Sequence, residues 1–458
     1  MGQATYRGGR LVSLVATLIL CVLAFQLNAS MLTPALPSIA ASMNVSVDLM
    51  SNVSSLFFLA SSIGGVVLAR WSDFIGRRRA LIIVLLTLTV GTILCIFATN
   101  LTILLIGRVL QGASGATFQI AYVFLREKLD TKTFGIVLGI LTAVNGGVGG
   151  FDGYLGGVLS DKYGFQSIFI VILAIVVFTL ICVMLVVPKE DSAVTTGKMD
   201  WWGSGALSVG LILLTYFVAQ GSAVGWFAPI TLIFLVGMVI SFIVFWYIEK
   251  RSASPMIAVQ HLRSRQVWPV VTSTLLCLTG IFAVINFTVV LLSQDQEVGF
   301  GLDAAMSGLL FLTPAALIGV FAAPISGWLA GRFGWIRMLR LGILVSIAAL
   351  VAILLFTGSK WIVFSAVALL GITYNGLILT TINGLGVLQS PDEAPSALPG
   401  INGAGFGVGA SLGIGLVAPF VGQGTLGGYT TAMWVSIIIT VLALVSSLLI
   451  VPKNGQKV

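Results

Sequence analysis

Charge is what this chain has least of. Asp, Glu, Lys and Arg make up 8% of its 458 residues and hydrophobic residues 58%, whereas a water-soluble globule carries about 25% charge. Histidine occurs once, at position 261 in a basic loop, and a lone surface histidine is more often without a role than a switch. The four cysteines (Cys21, Cys95, Cys182 and Cys277) all lie inside apolar runs. They show no Cys-x-x-Cys or Cys/His spacing, which argues against zinc and against a disulfide framework. No polar loop holds a Ser/His/Asp, Cys/His or metal-ligand grouping, which disfavours a membrane enzyme. The longest loop, 249–266, has no room for the soluble output domain of a sensor.

What is present is apolar sequence in long blocks. Each block approaches the roughly 20 residues that a helix needs to cross about 30 Å of hydrocarbon. Spans are predicted near 11–32, 51–69, 80–98, 101–122, 134–158, 167–187, 205–222, 228–247, 269–292, 305–329, 339–357, 361–385, 401–421 and 430–451. Polar joints at 188–200 and 249–266 divide the chain. Residues 1–187 form one six-helix bundle, 188–268 a linker with a two-helix insert, and 269–458 a second six-helix bundle. The fold class is therefore an all-α polytopic membrane protein with fourteen spans. A weak internal echo supports duplication: Ala69 to Arg79 and Gly327 to Arg337 each open on a small residue and close with Gly followed shortly by Arg.

The 23 Lys and Arg residues are distributed asymmetrically. In this threading only Lys162 and Lys360 lie on one side and Arg108 inside, and all the others share the opposite side. Basic residues favour cytoplasmic loops, so the reading is a multi-pass protein of the cytoplasmic membrane with both termini inside. The net charge of +8 then faces anionic lipid headgroups and not nucleic acid.

Two polar motifs interrupt the hydrophobic pattern. Asp73, Gly76 and Arg77 sit among further arginines between the second and third spans. They suit a latch that grips a neighbouring helix terminus; the alternative is a positive-inside anchor, for which an acid set among four bases is poor design. Arg108 lies about seven residues into the fourth span, where a guanidinium costs at least about 2.5 kcal/mol and should face a cavity or a partner. Asp152, about six residues before the outer end of the fifth span, lies at a similar depth, roughly 10 Å inside at 1.5 Å per residue. Two readings stand for the pair. One is permanent mutual neutralisation; in the other Asp152 gains and loses a proton as its exposure changes, with Arg108 beside it.

Taken together these segments resemble a major facilitator superfamily transporter of the fourteen-helix drug:proton antiporter type, over essentially the whole length. Asp73, Gly76 and Arg77 match that family's loop signature, while Ala69 and Phe74 depart from it. Arg108, Gln111, Gly112 and Gly115 match its Arg-x-x-Gln-Gly-x-x-Gly pattern at every named position. Asp200-Trp201-Trp202-Gly203 is similar to the start of its insert hairpin. Two departures stand out. Where many antiporters carry Asp in the first span, this chain has Asn28, which cannot titrate. The fifth-span signature Gly-Pro-x-x-Gly-Gly appears as Asp152-Gly153-Tyr154-Leu155-Gly156-Gly157, without its proline.

The resemblance implies proton-coupled export of hydrophobic or amphiphilic small molecules by alternating access, energised by the proton gradient with no cofactor or metal, from a monomer. The departures favour as alternative an uptake or lipid-translocating member of the same fold. Candidate pocket residues are the polar and aromatic groups within spans, where an unpaired amide is costly: Gln26, Asn28, Gln111, Phe118, Gln119, Tyr122, Asn145, Asn286, Tyr374, Asn375 and Asn383. For any one of them interhelical bonding is an equal explanation. Glycine-rich stretches at 145–153 and 400–409 lack the Gly-Lys-Ser/Thr of a phosphate loop and suit close-packed hinges between bundles.

Overall fold

The computed structural model describes residues 9–129, 137, 141, 151–188, 199–252, 264–389 and 397–452. Thirteen helices among them are long and apolar enough to cross a membrane. In chain order they are α1 (Gly9–Met43), α2 (Val47–Ile75), α3 (Arg77–Ile96) and α4 (Leu101–Leu125). The described part of α5 is helical over 151–163, followed by α6 (Gln166–Val186). Next come α7 (Trp201–Val224), α8 (Pro229–Arg251), α9 (Trp268–Gln294), α10 (Ala304–Phe333), α11 (Trp335–Leu355), α12 (Lys360–Gly386), α13 (Ile401–Val421) and α14 (Leu426–Leu448). The ends near Arg70 to Arg79, Lys250 and Arg332 to Arg340 define a basic face; the other is the far face.

Helix starts and stops follow local chemistry. Asn100 accepts a hydrogen bond from the Ile103 N–H at 3.0 Å, Asp200 from Gly203 at 2.8 Å, and Thr425 from Gly428 at 3.1 Å. Each satisfies one of the orphan donors that open a helix. Gly76 and Gly334, with φ of 90° and 104°, turn α2 into α3 and α10 into α11. Their backbone conformation is one that a side chain strongly disfavours. They stand at matching points of the two echoed segments, so a weak sequence likeness corresponds to the same turn made twice. A second matched device is an arginine of the third helix in each set bonding to the end of the sixth: Arg78 to the Met184 carbonyl at 2.5 Å, and Arg340 to the Ser447 carbonyl at 3.2 Å.

Several helices outrun the predicted spans. α1 continues to Met43 through a tight 3-10 turn at Thr33–Ala35 containing Pro34, and α10 runs to Phe333. Hydropathy sees only the apolar middle, whereas helical hydrogen bonding persists into the polar ends. α9, α10 and α12 also hold π-helical stretches, at Leu278–Phe282 and Val284–Thr288, at Gly308–Leu312, and at Gly371–Ile378.

α7 lies across the seam where α2 meets α13. Leu59 of α2, Leu207 and Leu211 of α7, and Val408 and Leu412 of α13 share one apolar cluster. Ser222 of α7 donates to the Gly415 carbonyl at 3.2 Å. α8 lies outside α7 and exposes Ile233, Val236, Ile240 and Ile243, the apolar surface that lipid would cover.

On the far face α5 is packed against α1 and α10. A Cβ on Gly156 would stand 1.9 Å from the Met31 carbonyl oxygen, and one on Gly157 would stand 2.5 Å from the Ala305 Cα. Asp161 accepts from the Ala305 N–H at 3.0 Å, a carboxylate at a helix N-terminus. This contact seals the far face between the N-terminal and C-terminal helices. Substituting Gly156→Val should wedge it open. A cysteine placed at Ala305 should then react with a membrane-impermeant maleimide from the far side, and continued protection of that cysteine would contradict the packing described.

Candidate functional site

Arg108 is 1% exposed, and its guanidinium is fully engaged. Nε donates to the Val53 carbonyl at 3.0 Å, one terminal nitrogen to Gln111 Oε1 at 2.9 Å and the other to the Asn28 carbonyl at 3.1 Å. The plane lies 4.2 Å from the Phe57 ring centroid, within cation–π range. Gln111 in turn donates to Thr92 at 3.0 Å. One cation thus ties α1, α2 and α4 together, with α3 held through Gln111.

Asp152 is not its partner. The carboxylate, 2% exposed, accepts from Ser30 Oγ at 2.5 Å on Oδ2, while Oδ1 is buried with no hydrogen-bond partner among the described residues. Gln26 completes the group, its amide donating to Ser30 Oγ at 3.0 Å. Among the described residues the ion pairs are Arg70 and Arg77 with Asp73. The expected Arg108–Asp152 pair is therefore corrected, and α1 supplies the reason. Asn28 meets Arg108 while Ser30 meets Asp152, and residues two apart on a helix point about 200° apart. Depth along the membrane was comparable; α1 stands between.

Ser30 has a single hydroxyl proton but two acceptors within reach, Asp152 Oδ2 and the Gln26 carbonyl, the latter at 3.0 Å. An ionised Asp152 takes that proton's hydrogen bond. A protonated Asp152 donates to Ser30 instead and turns the hydroxyl toward Gln26. A change of protonation is thereby converted into a rotor change on α1, one residue before the Met31 carbonyl that Gly156 abuts.

The motif at the basic face pairs within its own loop. Arg70 bonds Asp73 at 2.7 Å, Arg77 also pairs with Asp73, and Arg77 reaches Ser72 at 2.5 Å. Gly76 sets the turn. In this conformation Asp73 does not grip a helix of the C-terminal set.

Of the pocket candidates, Gln26 and Asn28 flank the two polar clusters, and Gln111 belongs to the arginine site. The side-chain carbonyl of Asn28 is buried without a partner among the described residues. Gln119 packs on Gly403 of α13, joining α4 to the C-terminal helices. Phe118 and Tyr122 are half-buried on α4. Asn286, Tyr374 and Asn375 all fall in π-helical stretches, irregularities that often accompany function. Asn286 donates to the Phe282 carbonyl at 3.2 Å, and Asn375 to the Ala315 carbonyl at 3.1 Å. The Tyr374 hydroxyl is buried and unpartnered. Asn383 is exposed toward the basic-face end of α12, and Asn145 lies outside the described residues.

Sequence reasoning missed Ser30 and a chain of rings. Phe25 stacks on Phe57 at 5.7 Å between centroids. Phe57 meets Phe58 edge-on at 5.4 Å, Phe58 meets Phe282 at 5.2 Å, and Phe282 meets Phe406 at 5.9 Å. Phenylalanine is common in apolar spans, so its composition gives no signal; only the adjacent pair Phe57-Phe58 offered a hint.

Because Arg108 and Asp152 are held separately, their substitutions should act independently. Arg108→Gln loses charge-assisted bonds to two carbonyls and should destabilise by about 3 kcal/mol, and adding Asp152→Asn should change stability additively within about 0.5 kcal/mol. Thermal unfolding of the four forms measures this. Recovery of stability in the double variant would restore the direct pair.

Comparison with known proteins follows the same lines. The chain is 38% identical over 413 residues to a uridine/deoxyuridine transporter of Lactococcus lactis subsp. cremoris, covering 88% of this chain and 86% of that one. It is 27% identical over 425 residues to the multidrug resistance protein Stp of Mycobacterium tuberculosis, covering 89% and 75%. Its fold is similar to that of a POT family transporter crystallised with 5-aminolevulinic acid, with TM-score 0.71, 14% identity and coverage of 98% and 99%. The Major Facilitator Superfamily family model matches residues 18–414. With its many membrane-crossing helices and a match of that extent, the chain is a multi-pass transporter that belongs to the Major Facilitator Superfamily.

Proposed function

We propose that this protein carries a pyrimidine nucleoside of the uridine class inward across the cytoplasmic membrane together with protons. The observation that carries the substrate is the 38% identity, spread over most of both chains, with a uridine/deoxyuridine transporter. The sequence departures agree with it: Asn28 stands where many exporters hold an acid, and Gly153 where the antiporter signature has proline. On this reading 1–187 and 269–458 are the two bundles that rock, 188–268 is the insert, and the basic face with both termini is cytoplasmic.

Asp152 is the residue we assign to the proton. It is buried, carries no ion pair among the described residues, and reports its state through Ser30 to α1, beside the contact between α5 and α10. Protonation and deprotonation there would bias opening and closing of the far face, which is what coupling requires: a differential interaction with two states. Arg108 serves as a fixed positive anchor whose charge is offset by carbonyl dipoles. Asp73, Gly76 and Arg77 are assigned to a latch engaged in a different conformation from the one described.

A second reading, export of amphiphilic drugs, is supported by relatives such as the mycobacterial multidrug resistance protein and by the intact Arg108, Gln111, Gly112 and Gly115 motif of the antiporter type. Proteoliposomes separate the two. With the interior alkaline, labelled uridine should accumulate, an uncoupler should abolish the accumulation, and ethidium should neither be carried nor compete. Ethidium movement against the proton gradient with no uridine flux would establish the export reading in its place.

A further inference from the structure

The ring chain occupies the place where a substrate must pass. Phe58 lies eleven residues from the far end of α2 and Phe282 twelve from the far end of α9. At 1.5 Å per residue both are roughly 17 Å deep, near the midplane of a layer about 30 Å thick. Their edge-on contact at 5.2 Å joins the N-terminal helices to the C-terminal ones, so it must break and re-form whenever the two sets move apart. Aliphatic side chains would fill such a seam equally well. Four successive ring contacts with centroids 5.2 to 5.9 Å apart instead supply faces and edges of defined polarity, with Arg108 seated on Phe57 at one end.

The rim of this chain is polar. Asn28, one turn beyond Phe25 on α1, has a buried side-chain carbonyl lacking any donor among the described residues. Asn286, one turn beyond Phe282, contributes a second amide. On the α13 side, one turn before Phe406, Gly403 carries the Gln119 amide against it. A buried acceptor without a donor is costly, and a ligand N–H would relieve that cost.

We infer that the chain Phe25, Phe57, Phe58, Phe282 and Phe406 is a recognition platform for a planar heteroaromatic ring bearing an N–H donor, which inserts where Phe58 meets Phe282. The inference rests on the nucleoside reading for its substrate class, and it assigns the base, not the sugar, as the part recognised here. Phe58 and Phe282, 4% and 9% exposed, part to admit the ring. Because the ring replaces one face of an existing aromatic contact, the seam closes over a bound substrate without leaving a void.

The test compares uridine with 5,6-dihydrouridine, which has the same sugar and ring substituents but a puckered, saturated base, in proteoliposomes of the full chain. The wild-type protein should favour uridine by roughly 5- to 100-fold in KM, the range for stacking one base on an aromatic side chain. Phe58→Leu and Phe282→Leu should bring the ratio toward one by raising the KM for uridine alone, while Phe282→Trp keeps it. Equal handling of the two nucleosides by wild type, or Leu variants that lose both equally, would overturn the platform. The wild-type and Trp arms decide it even if the Leu variants fail to fold. If wild type carries neither nucleoside, the nucleoside reading fails by itself, and thermal stabilisation by 2-quinolone against octahydro-2-quinolone, both neutral lactams with an N–H, tests the platform. Preference for the planar compound upholds it, and no preference overturns it.

Discussion

A guanidinium buried where there is no water to solvate it dictates much of this structure. Among the described residues Arg108 meets no carboxylate; its charge is spread over the carbonyls of Val53 and Asn28, the Gln111 amide and the face of Phe57. Each partner comes from a set helix position, so α1, α2 and α4 are fixed in rotation about their axes as well as in distance. Breaking that arrangement strands a charge in hydrocarbon, at a cost of several kcal/mol. The rotation of α1 in turn places Ser30 against Asp152, and that of α2 places Phe58 toward α9. The acid keeps its own bond from Ser30, while the aromatic chain shares Phe57 with the arginine.

The structure thereby separates two tasks that a charge pair would have merged. A carboxylate neutralised by a neighbouring arginine changes its proton only at the expense of that pair, whereas the side-chain partner of Asp152 among the described residues is a hydroxyl whose rotor can follow either protonation state. Its neighbours along α5, Gly156 and Gly157, make the tightest approach to α1 and α10. Small residues allow helices to meet closely and part again, so the buried acid and the far-face seal share one helix segment. The insert plays a different part: by packing on α2 and α13 together, α7 covers the seam from the lipid side at its midsection.

Much of the fold was legible because the bilayer imposes a length and a polarity on each crossing. The thirteen spans among the described residues and the echo that ends in Gly76 and Gly334 were readable as residue patterns. So was the importance of Arg108, since a charge within a span needs a reason. Its partner was not legible: depth follows from counting residues, but azimuth depends on which helix stands between, and α1 stands between Arg108 and Asp152. The ring chain escaped for a related reason, because Phe25, Phe57, Phe58, Phe282 and Phe406 are ordinary in composition and informative only in contact. The widened turns holding Asn286, Tyr374 and Asn375 carry no apolar period that differs from a plain helix.

The claim at the centre of this account is that substrate and proton move together through a state change at Asp152. The direct measurement uses proteoliposomes with a pH-sensitive dye inside and no imposed pH gradient. Uridine added outside should acidify the lumen as protons enter with it. Asp152→Asn should abolish that acidification while labelled uridine still exchanges across the membrane. Alkalinisation of the lumen, no pH change during uridine entry, or an unaltered signal in the Asn variant would contradict the account.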